Sequence, residues 1–78
     1  MDMRRLVGEN VARVRRQRGL TQEALAEKSG FSQQYLSGLE KGLRNPTIVT
    51  VFEIAQALEV SHLELLRPRR RRKARPGG

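Results

Sequence analysis

The chain has 78 residues, no cysteine, a single histidine, 37% hydrophobic residues and a formal net charge of +8. That length supports one small domain, which loses about 60% of its unfolded surface on folding; without cysteine there is no disulfide framework, thiol nucleophile or thiolate metal site, and one histidine does not make a metal cluster. No apolar run approaches the ~20 residues that span a bilayer and the start lacks the apolar segment of a secretory signal, so a cytoplasmic protein with no membrane partner, metal or cofactor is expected.

The first helix is expected to begin near Asp2 or Met3 and to run to about Gln17, with Val7, Val11 and Val14 as its buried stripe. Arg13 and Arg16 project away from that stripe, toward solvent or phosphate, whereas Arg15 lies on its flank. Gly19 and Leu20 close the helix. Thr21 then caps a second helix of strong helix formers, Gln22 to Lys28, with Leu25 and Ala26 facing inward. Ser29 and Gly30 break that run, Phe31 anchors the corner, and Ser32 caps a third helix. In it Leu36, Leu39 and Glu40 share one face, while Gln34, Ser37, Gly38 and Lys41 point the opposite way.

Two helices joined by a short glycine-containing turn form a helix-turn-helix, whose second helix can enter the DNA major groove. Gln33 and Gln34 stand at its amino end, and a glutamine amide offers the donor and the acceptor that match adenine there.

Beyond Gly42, Leu43 to Pro46 is a connector, because proline disfavours helical geometry at Asn45 and lacks a donor of its own. Thr47 caps a fourth helix with Ile48, Val51, Phe52, Ala55 and Leu58 along its core face; Val49 and Ile54 widen the apolar surface and leave something for a partner subunit. Ser61 and Glu64 have capping-box spacing ahead of a short last helix ending at Leu66, with His62 exposed near its start. Leu63, Leu65 and Leu66 together exceed what so small a body can bury.

Residues 67–75 hold seven basic residues and no acid, so residues 1–66, with nine basic and eight acidic residues, carry only +1. The chain is therefore read as a folded domain, 1–66, and a disordered Arg-rich tail, 67–78. Such a tail adds phosphate contacts on DNA, binds RNA or touches anionic lipid, and its composition does not discriminate among these.

Thr21, Gln22, Leu25, Ala26, Gly30, Leu36, Leu39, Glu40 and Gly42 fall where the helix-turn-helix family of phage repressor, Cro and Xre type carries its characteristic residues. The resemblance spans about residues 7–66, and the run YLSGLEKGLRNP resembles the controller proteins of restriction-modification systems. It implies an all-α, compact five-helix bundle of the lambda repressor-like kind, acting as a homodimer on a partly palindromic operator in double-stranded DNA. By the same resemblance, residues 32–41 are the recognition helix, Gln33 and Gln34 read bases, Ser32 borders them, and Ser37 reaches bases or phosphates. Gln22 contacts a phosphate and braces the recognition helix; Lys41, Arg44 and Asn45 contact phosphates, Arg44 foremost, with a narrow minor groove as the alternative for Arg44. Tyr35 is balanced between phosphate contact and half-buried packing. Arg15 and Glu40 are implied to form a structural ion pair, and Val49, Leu63, Leu65 and Leu66 to contribute a dimer interface. Gly38 departs from the longer side chain common in the family, which either permits close backbone approach to DNA or narrows the base reading.

The alternatives are a protein-interaction module or antitoxin that keeps this shape and docks a partner protein, and a non-specific nucleic-acid binder acting through the tail. An enzyme is not expected, because no paired nucleophile and base, carboxylate cluster or phosphate loop is recognisable.

Overall fold

Four of the helices begin where a polar side chain satisfies a backbone N–H that the helix leaves free. In the computed structural model, which describes residues 1–68, Asp2 accepts from the amides of Arg4 and Arg5 to start α1 (Met3–Gln17). Thr21 accepts from Ala24 for α2 (Gln22–Ser29), Ser32 from Tyr35 for α3 (Gln33–Glu40), and Thr47 from Thr50 for α4 (Ile48–Leu58). Each such cap stabilises its helix by about 1 kcal/mol. The last helix, α5 (Leu63–Leu66), starts differently: Ser61 Oγ accepts from the Leu63 amide at 3.1 Å, and the Ser61 carbonyl takes the Glu64 amide at 2.9 Å. That tight turn removes the amide a capping box needs, and the Glu64 carboxylate pairs with Arg67 at 3.3 Å instead.

Helix ends set how the chain turns. Gly30, at φ +83°, ends α2 with its amide bonded to the Ala26 carbonyl, making the corner of the helix-turn-helix. Gly42, at φ +78°, closes α3 with two bonds, Gly42 N–H to Leu39 O at 3.0 Å and Leu43 N–H to Gly38 O at 2.9 Å. This closure folds the connector back along α3.

The core joins Val7, Val11 and Val14 of α1 to Leu25, Leu36, Leu39, Val51, Ile54, Ala55, Leu58 and Leu65. α1 packs on α3, α4 and α5, and α2 on α3 and α4, so α3 is held from behind by two helices while its other side stays open. Among the described residues there is no strand, and no helix is long and apolar enough to cross a membrane.

The apolar surface is arranged differently from the expectation. Ile48 and Phe52, expected on the core face of α4, are 67% and 47% exposed, while Ile54 is fully buried. The inward row is Val51, Ile54, Ala55 and Leu58, a spacing of three, four and seven that leaves 48 at the first turn and 52 at the margin. His62 is half-buried, its ring 6.0 Å from that of Phe52. Leu65, expected at a dimer interface, is fully buried in the chain's own core, and Leu66 is partly buried against it. In a single-turn helix residue 65 lies nearly opposite residue 63, so only one of that pair can face outward.

Two α1 residues not singled out in the sequence hold the bundle. Asn10, 1% exposed, donates both Nδ2 hydrogens, to the carbonyls of Leu65 and Arg67, each at 2.9 Å. Its Oδ1 accepts from Arg13 Nη2 at 3.0 Å, so Arg13 is tied to the body rather than projecting freely. A side chain at Gly8 would collide with the Leu39 carbonyl, and its absence lets α1 and α3 cross closely. Residues 69–78, and with them most of the expected disordered tail, lie outside the described residues.

Candidate nucleic-acid interface

The exposed side of α3 follows from which residues its packing consumes. Leu36 and Leu39 are fully buried, so the residues on the other side of the helix, including Gln34, Ser37, Gly38 and Lys41, line its outer surface. Ser32, Gln33, Gln34 and Lys41 are exposed, and Ser37 and Gly38 are half-buried. Two adjacent glutamine amides at the first turn can each present a donor and an acceptor to a base edge. Ser32 borders them, although its hydroxyl is already engaged with the Tyr35 amide at 3.0 Å.

The inner end of α3 is fixed by charge. Arg15 Nε donates to Glu40 Oε2 at 2.7 Å and Arg15 Nη2 to Glu40 Oε1 at 3.1 Å, with the side chains only 12% and 7% exposed. Arg15 Nη1 donates to the Leu20 carbonyl at 2.8 Å, and Gln22 Nε2 to Glu40 Oε1 at 3.0 Å. The hydrogen bond with Glu40 raises the Arg15 pKa above the ordinary arginine value, against a smaller lowering by burial, so the cation persists at any working pH. Gln22 thus braces α3 through Glu40, at a half-buried position beside it.

Along the other edge, the connector lies back on α3. Arg44 carries its guanidinium 5.7 Å from the centroid of the Tyr35 ring, and Tyr35 stacks on Phe31 with centroids 5.3 Å apart and planes at 25°. Tyr35 is half-buried and packs against the core together with Phe31, which anchors the corner. Arg44 and Asn45 are both exposed. Gly38 faces the Arg44 side chain, an arrangement that neither sequence reading of this glycine included. Among the described residues no group of histidine, cysteine and acidic side chains is placed to hold a metal.

Comparison with known proteins adds four findings to this geometry. Residues 11–65 match the helix-turn-helix family HTH_3. The chain is 66% identical to the uncharacterized HTH-type transcriptional regulator y4dJ of Sinorhizobium fredii over 68 residues, covering 87% of this chain and 88% of that one. It is 39% identical to the control protein C.SmaI of Serratia marcescens, covering 85% and 79% of the two chains. Among solved structures it superposes with a TM-score of 0.77, at 35% identity, on the restriction-modification controller protein C.Esp1396I, covering 83% of this chain and 86% of that one. That controller was solved as a tetramer in complex with its natural 35 base-pair operator.

Proposed function

This chain belongs to the helix-turn-helix family HTH_3, and we propose that it is a sequence-specific transcriptional regulator that binds a partly palindromic operator as a homodimer. The observation that carries the reading is the outer face of α3, where Gln33 and Gln34 are exposed while the opposite face is locked into the core and to Arg15. A rigid helix with adaptable amides on its free side supplies what major-groove reading needs. Lys41 places positive charge at the carboxyl end of α3 and Arg44 carries a second one back along the helix to Tyr35, both suited to phosphate contact.

A dimer accounts for the apolar residues left outside on α4 and α5. Ile48, Val49, Phe52 and Leu63 are 67%, 59%, 47% and 54% exposed, and all lie on α4 and α5. Pairing two chains through this surface covers it and presents two α3 helices to successive major grooves, about 34 Å apart. The kinship with C.SmaI and C.Esp1396I supports operator binding as the mode of action.

Selection from a random pool of DNA duplexes tests the proposal. Enrichment of one site with two related half-sites a helical turn apart is expected; a pool that remains random after repeated rounds contradicts it.

A further inference from the structure

We propose that Gly38 is a positioning residue, whose missing side chain is the seat that holds Arg44 against α3 in readiness for DNA. The proposal rests on the operator-binding reading above and deepens it.

Glycine in the middle of a helix calls for a reason, because alanine favours the helix more. Backbone geometry does not supply it: the positive-φ glycines are Gly19, Gly30 and Gly42, and Gly38 is not among them. Space does supply it. A Cβ added at Gly38 would lie 2.9 Å from Arg44 Nε, 3.4 Å from its Cγ and 3.6 Å from its Cδ. The stem of Arg44 thus occupies the place a side chain would take.

Two neighbouring features keep it there. The closure at Gly42, with Leu43 N–H on the Gly38 carbonyl at 2.9 Å, returns the connector along α3 and brings residue 44 beside residue 38. Tyr35, one turn earlier on the same helix, lies under the guanidinium at 5.7 Å, and its own ring is stacked on Phe31. An aromatic face leaves the guanidinium N–H donors unspent. Among the described residues the ion pairs are those of Arg4, Arg5, Arg15, Arg18 and Arg67, and Arg44 is in none of them. Arg44 is therefore held in place with its donors available to a phosphate or a groove edge. Holding a long side chain before binding removes part of the ordering entropy that binding otherwise costs.

The crowding atom is the distal part of a flexible side chain, so Gly38→Ala displaces Arg44 and leaves the fold intact. Tyr35 is the sole tyrosine in a chain without tryptophan, so its fluorescence reports on the seat without DNA. The experiment compares full-length wild type, Gly38→Ala, Arg44→Ala and the double variant by thermal melting, acrylamide quenching of Tyr35, and affinity for the selected duplex. The expected Gly38→Ala protein melts no lower than wild type, matches Arg44→Ala in Tyr35 quenching, and binds the duplex roughly 2- to 10-fold more weakly. In the Arg44→Ala background, Gly38→Ala adds no further loss. Wild-type quenching or undiminished duplex binding in Gly38→Ala overturns the seat, as does a loss that persists in the double variant and so reflects direct obstruction by the methyl group. If wild type itself discriminates no duplex, the operator reading falls and takes the DNA role of Gly38 with it; selective wild-type binding with an unaffected Gly38→Ala overturns the seat alone.

Discussion

Arg15 and Glu40, 25 residues apart in sequence, meet through two parallel N–H···O bonds of 2.7 and 3.1 Å and join α1 to the last residue of α3. The hydrogen bonds from Gln22 and to Leu20 extend the pair to α2 and the turn before it. Both charges are largely out of water, so each depends on the other.

Replacing either partner alone, Arg15→Ala or Glu40→Ala, should cost about 3–5 kcal/mol, because it strands the remaining charge. The double replacement should cost clearly less than the two single losses combined. Gln22→Ala, which removes one bond from a carboxylate that keeps its arginine, should cost only about 1 kcal/mol. Urea unfolding of the four variants gives the comparison; additive losses for Arg15 and Glu40 would refute the coupling.

Asn10 is the counterpart at the other end of the bundle. Asn10→Ala leaves the Leu65 and Arg67 carbonyls without their donor and should destabilise by about 1–3 kcal/mol. Asn10→Asp keeps the acceptor for Arg13 but replaces the donor to the Leu65 and Arg67 carbonyls with a second oxygen, so at neutral pH it should lose about as much stability as Asn10→Ala. An Asn10→Asp variant as stable as wild type would contradict this role.

Two of the three leucines of α5, Leu63 and Leu65, separate folding from association. Leu65→Ala should cost about 2–5 kcal/mol of folding stability, as a fully buried leucine does. Leu63→Glu, at a 54% exposed position, should leave the monomer folded while shifting sedimentation toward the monomer. An unchanged dimer in Leu63→Glu would show that this surface is not the interface.

What the sequence discloses here follows the range of each interaction. Thr21, Ser32 and Thr47 are legible as caps because a cap involves only its own first turn. The α1 stripe is legible because a helix of 15 residues repeats its period several times. α5 has only 4 residues, too few for a period to show, and Leu65 is consequently misassigned. Asn10 and Gly8 act on residues distant in sequence, and nothing in their immediate neighbourhood marks them. The Arg15–Glu40 pair has the same long range and was accessible only through family resemblance. Gly38 stood out as unusual, yet its neighbour Arg44 is identified only once the connector's path is known.

The central claim is that Gln33 and Gln34 read bases, and it is tested most directly by the ratio of specific to non-specific affinity. Wild type and a Gln33→Ala/Gln34→Ala variant are titrated against the selected duplex and a scrambled one across a range of salt. Each lost bidentate contact removes about 1–3 kcal/mol of discrimination, so the variant should lose at least ~10-fold in that ratio while its affinity for scrambled DNA and its salt slope stay the same. An unchanged ratio in the variant would contradict base reading by this face of α3.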